Sequence, residues 1–409
     1  MRGAAETGVT AGALPAGVER CYDAALRKRI LALRHDLHRH PELAFEEHRT
    51  AERLEHELAL LDPAEIRRVA GTGVVARIRG RDPEAPMVAV RGDIDALPIQ
   101  EETGLPYASE EPGIMHACGH DVHAAWTVGA AHLLAREPAA GDVLVLLQPA
   151  EETGRGAAAV LESGALDGVS AIFGAHVDRR FQVGEVVAQA GPLAAAADEF
   201  RVELAGRGAH GARPHEAADP IVAAAALVTA LQTIVSRRLD PAIPAVVSVG
   251  TIRGGSAANV IPERVTLSGT LRATDPRTRR LLHEEVRRIS DAVAALHRME
   301  ARVELELGPP PIVNPVEAVG WAQEAVEALL GPQALVPLPT LNLAGEDFAW
   351  YLERMSGCFL RVGAREPGGE PTPAHTPRFY AADESTLVGA AVLAEVARVA
   401  SRALRARGG

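Results

Sequence analysis

Short, continuously apolar runs recur along this chain with helical periodicity between them, and one stretch breaks the pattern. That order constrains the fold most. Residues 74–78 and 87–90 are short, largely apolar runs with strand character, and 143–147 and 171–175 are apolar throughout, which suits strands buried on both faces. Residues 122–135 and 157–163 read as helices between them. Strands alternating with helices imply a mostly parallel central sheet with helices on both faces, an α/β fold. Upstream, a helix over 27–39 carries Ile30, Leu33 and Leu37 on one face and stops at Pro41, and a second runs over 46–61. The first 20 or so residues are small and polar, and are expected to be weakly attached.

The pattern changes near Ala197. Residues 200–204 alternate as a strand, 220–238 form an apolar helix, and 245–252 and 264–271 are strands. A helix over 275–299 enters at Pro276, with Leu282, Val286, Ile289, Val293 and Leu296 spaced 4, 3, 4, 3, and a strand over 301–307 closes the set. The order β-α-β-β-α-β is that of a ferredoxin-like α+β domain. Three prolines, Pro309 to Pro311, then break the chain before helix and strand alternate again. The expected organisation is a main domain in two parts, 1–194 and 307–409, with a smaller domain inserted over 195–306.

Composition excludes some classes of function. The formal net charge is −12, which argues against a nucleic-acid partner. Three cysteines, Cys21, Cys118 and Cys358, are an odd number and no disulfide framework is expected. No uncharged apolar run reaches about 18 residues, so no membrane span is expected. The N-terminus lacks a signal-peptide core, and the expected location is cytoplasmic.

Four stretches carry chemistry. Met115-His116-Ala117-Cys118-Gly119-His120-Asp121-Val122-His123 lies at the mouth of a helix and offers thiolate and imidazole, natural ligands for zinc and similar ions. Gln148-Pro149-Ala150-Glu151-Glu152 follows an apolar strand, where ligands bind in open α/β sheets, and two adjacent carboxylates there can divide the work of holding metal and facing water. His176 follows the 171–175 run, and His375 lies in the loop Ala374-His375-Thr376-Pro377. Each alone has an ordinary reading: a core cysteine, a solvated glutamate pair, a structural histidine. Three of the four fall at the carboxyl ends of strands or helix mouths of one sheet, as expected of a binuclear hydrolase.

These segments, in this order, resemble the M20 metallopeptidase family. The likeness is to its amidohydrolase branch of hippurate hydrolases, auxin-conjugate hydrolases and N-acyl-amino-acid deacylases. The likeness runs from about residue 30 to the C-terminus. Further matching segments are Leu33 to Leu43, Arg91-Gly92-Asp93-Ile94-Asp95-Ala96-Leu97-Pro98, Gly174-Ala175-His176, Asn259-Val260-Ile261-Pro262 and Gly345-Glu346-Asp347-Phe348.

The resemblance implies two divalent ions (manganese, zinc, cobalt or nickel) bound by Cys118, His120, Glu152, His176 and His375. It implies Glu151 as the general base that takes a proton from the attacking water and passes it to the leaving amine. Related peptidases draw a ligand from a His-x-Asp motif; here Arg91-Gly92-Asp93 is matched to that place, and Asp93 is a candidate supporting residue or a turn cap. The inserted domain resembles the family's lid and dimerisation domain, with His210, Asn259 and Arg272 as candidate substrate-binding residues and a homodimer expected. Ala209 stands where glycine is more usual, and Val177 to Arg180 lacks a proline often found nearby. The implied activity is metal-dependent hydrolysis of N-acyl or N-aroyl amino acids. The alternatives are a dipeptidase or carboxypeptidase of the same family, a thiol hydrolase with Cys118 as nucleophile, and a metal-binding protein without turnover. The acyl group, the amino acid and the metal stay open.

Overall fold

The computed structural model describes residues 13–341 and 343–408. It divides into two compact units: Met1–Gly191 with Asn314–Pro339 and Trp350–Gly409, and Pro192–Val313 with Thr340–Ala349. The second unit thus begins and ends a few residues outside 195–306 and gathers in a short later segment.

The first unit is built on a seven-stranded sheet in the order Glu65–Val69, Gly73–Ile78, Val143–Gln148, Met87–Asp93, Val169–Gln182, Ser356–Arg365, Val186–Val187. The four central strands run parallel, and the flanking strands at both edges are antiparallel. Asp23 caps the helix Ala24–Arg39 by accepting the Leu26 N–H at 2.7 Å. That helix buries Ile30, Leu33 and Leu37 in a core shared with Trp126 of the helix His120–Arg136 and with Val388, Val392 and Val396 of Asp383–Gly408.

Two expectations need correction, and one strand went unread in the sequence. The chain before residue 20 is attached where it is described: Ala16–Glu19 is a helical turn, and Val18 is fully buried. Residues 1–12, covered by the same expectation, lie outside the described residues. Second, His176 does not end a strand. Val169–Gln182 continues well past it because Ser356–Arg365 pairs with it as far as Gln182, and this extended pairing needs no proline-shaped turn after His176. The unread strand, Glu65–Val69, gave no apolar signal, being an edge with alternating exposure.

The second unit holds an antiparallel sheet in the order Glu300–Glu306, Ala196–Ala205, Arg264–Ala273, Ala245–Gly254, the 4-1-3-2 arrangement of a ferredoxin-like domain. Pro220–Thr233 and Pro276–Leu296, each capped by an aspartate (Asp219, Asp275), pack Leu227, Leu231, Leu282, Val286 and Val293 against Phe200, Val202 and Leu267. Leu296, expected on that stripe, is 77% exposed: the helix ends there and the chain turns away. Pro220–Arg238 is long and apolar enough to cross a membrane by length and composition, yet its buried third lies in this core.

Candidate metal centre

Cys118 and His120 flank Gly119, which caps the helix His120–Arg136. Gly119 has φ of 86°, in the left-handed region, and a Cβ there would come within 2.5 Å of Val177 Cγ2. Only glycine fits that turn, and it lets the thiol and the imidazole address one point. Cys118 and His120 are both buried.

Glu151 and Glu152 sit on a one-turn helix, Glu151–Thr153, that opens as the strand Val143–Gln148 ends. Ala150 bends the chain there with φ of 55°. Asp95, fully enclosed, sets this turn: Oδ1 accepts the Glu151 N–H and Oδ2 the Glu152 N–H, each at 3.0 Å. The same Oδ1 lies 3.2 Å from His120 Nδ1. With Nδ1 engaged, His120 Nε2 faces inward with no hydrogen-bond partner. It stands 3.8 Å from Asp93 Oδ1 and 3.9 Å from carboxylate oxygens of both Glu151 and Glu152.

His176 donates its Nδ1–H to the Val177 carbonyl at 2.7 Å, and its Nε2 reaches to 3.3 Å from Cys118 Sγ. His375, itself at φ of 62°, is pinned by its N–H to the Ala117 carbonyl at 2.8 Å and brings Nε2 to 3.3 Å from Glu152 Oε1.

Among the groups of donor atoms that lie within 4.8 Å of one another, three hold only the expected ligands and base: Cys118, His120 and His176; Cys118, Glu152 and His375; His120, Glu151 and Glu152. Their shared members join them into one cluster. Donors that each lie about 2.0–2.3 Å from a common ion stand roughly 3–4 Å apart. The separations found here suit that, and the inward Nε2 atoms are oriented by partners on Nδ1, as metal-binding histidines are. The residues present fit divalent ions.

The buried groups of the centre perturb one another strongly. Burial opposes charge on His120, but Asp93, Asp95 and Cys118 outweigh it and hold its pKa well above the usual imidazole value. Burial, then the Glu152 carboxylate, pushes the Cys118 thiol well up. Burial, with help from His123 and Arg361, holds His176 well below the usual value and so neutral, with a lone pair to give. The pocket is anionic overall and rewards a cation.

Asp93 caps no turn. Fully buried, it pairs with Arg91 Nη1 at 2.5 Å and His123 Nδ1 at 2.6 Å, and His123 Nε2 accepts the Val177 N–H at 3.0 Å, next to His176. Asp95 and His123 were not singled out from the sequence. The available signal was the pair Asp93-Ile94-Asp95 at a strand end, both side chains enclosed.

The model of Peptidase family M20/M25/M40 matches residues 89–399. The chain belongs to this family. A relative named N-acetyl-L-cysteine deacetylase, from Bacillus subtilis (strain 168), is 44% identical over 345 residues, covering 83% of this chain and 81% of the relative. A protein of Arabidopsis thaliana named IAA-amino acid hydrolase is 37% identical over 374 residues, covering 90% and 84%. Among solved structures, a dinuclear metal-binding M20 peptidase of Bacillus subtilis superposes with a TM-score of 0.82 at 36% identity, covering 93% of this chain and 99% of that one. The M20 chain described here is therefore a hydrolase, and its relatives support amidohydrolase activity in general.

The three expected substrate residues lie in the second unit of this M20 chain. His210 pairs with Val260 on a two-stranded ribbon, and the adjacent Asn259 accepts the Gly211 N–H through its carbonyl at 2.7 Å, so these two stand together. Arg272 lies apart from them on the four-stranded sheet and donates to the Leu271 carbonyl at 3.0 Å and to the Thr270 hydroxyl.

Proposed function

We propose that the protein hydrolyses the amide bond of N-acyl or N-aroyl amino acids, releasing a carboxylic acid and a free amino acid. Two divalent ions would be held by Cys118, His120, Glu152, His176 and His375. One observation carries the reading: a second carboxylate, Glu151, stands beside the ligand cluster on a turn that Asp95 fixes by hydrogen bonds to both glutamates. Relatives named N-acetyl-L-cysteine deacetylase and IAA-amino acid hydrolase support amidohydrolase activity in general, and the N-acyl amino acid class is the step we propose beyond it.

When bound, such ions supply Lewis acidity to the carbonyl and acidify water. Glu151 receives the water's proton at its carboxylate and delivers it to the departing amine nitrogen. Asp95 keeps Glu151 and His120 in register throughout. His123 and Asp93 hold Val177, and with it the strand that carries His176. His210, Asn259 and Arg272 are proposed to contact the substrate's polar groups. The thiol reading of Cys118 finds no support, because Cys118 stands among metal donors and a thiol mechanism has no use for the paired carboxylates Glu151 and Glu152.

We also propose a homodimer through the second unit. Ile221 and Val222 are 46% and 53% exposed on the outer face of Pro220–Thr233, and Ala245–Gly254 is an edge strand of its sheet. A Val222→Glu variant should shift the mass in light scattering from dimer to monomer.

The activity is tested by a panel of N-acyl amino acids and dipeptides, offered to stripped enzyme reloaded with each metal. Turnover of acyl amino acids restored by metal supports the reading. Turnover insensitive to chelation, or confined to dipeptides, contradicts it.

A further inference from the structure

Four arginines in this structure are buried among the described residues: Arg34, Arg91, Arg179 and Arg361. Three are neutralised. Arg34 meets Asp121 and Asp383, Arg91 meets Asp93 and Gln148, and Arg179 meets Glu366 together with the Ala364 and Glu370 carbonyls. Arg361 differs. It is only 6% exposed, and its Nε is sealed from water with no hydrogen-bond partner. Among the described residues no carboxylate or carbonyl engages its guanidinium, whose neighbour is the Phe359 ring at 5.7 Å.

Its direction is set by the strand. Arg361 lies in register with His176 on the adjacent parallel strand. Leu360 and Val362 on one strand, and Ala175 and Val177 on the other, point into the helix-packed core. Side chains alternate along a strand, so Arg361 and His176 share the opposite face, one strand spacing apart. A guanidinium without a partner is costly to bury, and in a folded chain such a group is expected to meet an anion in its working state. Arginine presents a planar fork of donors that matches a carboxylate.

We propose that Arg361 is a substrate-binding residue that pairs with a carboxylate of the substrate beside His176. The inference rests on the N-acyl amino acid reading above. That carboxylate is either the α-carboxylate of the amino acid or a second acid on its side chain or on the acyl group.

The test compares wild type, Arg361→Met and Arg361→Lys on matched pairs: N-acetylalanine with its amide, N-acetylaspartate with N-acetylasparagine, and N-succinylalanine with N-butyrylalanine. In wild type the acid of at least one pair is preferred. In Arg361→Met that preference collapses, with roughly 10- to 100-fold lost in kcat/KM for the acid, mainly through KM. Arg361→Lys restores part of it. A gap in the first pair assigns the α-carboxylate; a gap confined to the second or third assigns the additional acid. Equal losses on both members of every pair, or an undiminished preference, overturns the proposal. If wild type cleaves none of these compounds, the substrate reading fails on its own, and Arg361 is then read by melting. Succinate should raise the melting temperature of wild type and not of Arg361→Met, and equal shifts overturn the proposal.

Discussion

Asp95 is the single side chain whose loss should disturb the most of the centre. Its two oxygens, fully enclosed, accept from Glu151 N–H, Glu152 N–H and His120 Nδ1 at 3.0, 3.0 and 3.2 Å. A hydrogen bond to a charged acceptor contributes about 1.5–3 kcal/mol, so three independent losses would total roughly 5–9 kcal/mol. They converge on one turn and one ring, so the sum overstates the effect. Breaking a buried charged network typically costs about 3–5 kcal/mol, and that is the expected destabilisation of Asp95→Ala. Asp95→Asn keeps the volume and one acceptor but turns an N–H toward a backbone N–H. Residues that orient metal ligands change metal affinity by about 10- to 100-fold when altered, and Asp95→Asn should fall in that range. Urea unfolding of the stripped protein gives the first number, and competition with a metal-binding dye gives the second. Wild-type affinity in both variants, with unaltered turnover, would refute the role assigned to Asp95.

Other outcomes follow from the same geometry. Gly119→Ala should lose about 1–2 kcal/mol from the left-handed backbone alone, plus the contact with Val177 Cγ2, and adding Val177→Ala should recover the second part but not the first. Urea midpoints of the single and double variants decide this, and an unchanged midpoint for Gly119→Ala would contradict it. Burial lowers the pKa of His38, but Asp121 and Glu101 outweigh that and push it up to about 9, against 6.5 when unfolded. Because the folded value is the higher, the stabilisation is fully present below pH 6.5 and fades as pH rises through 9. It amounts to about 3 kcal/mol, so unfolding free energies of wild type and His38→Gln should converge by about that much across this window. Parallel curves would show that His38 carries no charge in the fold.

Much of the architecture was legible because burial on both faces leaves a plain mark. The runs around 87–90, 143–147 and 171–175 could only be central strands, and the apolar spacing of Leu282, Val286, Ile289 and Val293 marked the helix of the inserted unit. Edges were harder. Glu65–Val69 has one solvated side and little apolar content, and the extension of Val169–Gln182 depends on pairing with a strand almost 200 residues later. At the centre, cysteine and histidine announce metal chemistry by type, whereas Asp95 is an ordinary aspartate until its three donors are seen. Arg361 gives no sequence signal as a site residue: it interrupts an apolar run, and only the strand register reveals the face it occupies.

The central claim is that Glu151 moves the proton while its neighbours hold the metal. Glu151→Gln keeps the shape of the turn and removes the base. Metal content and single-turnover rate should be measured on the same sample of this variant, with an N-acyl amino acid that wild type cleaves. The account predicts a wild-type metal complement with turnover reduced by about 10²–10⁴-fold. A variant that holds its metal and still turns over at the wild-type rate would contradict it.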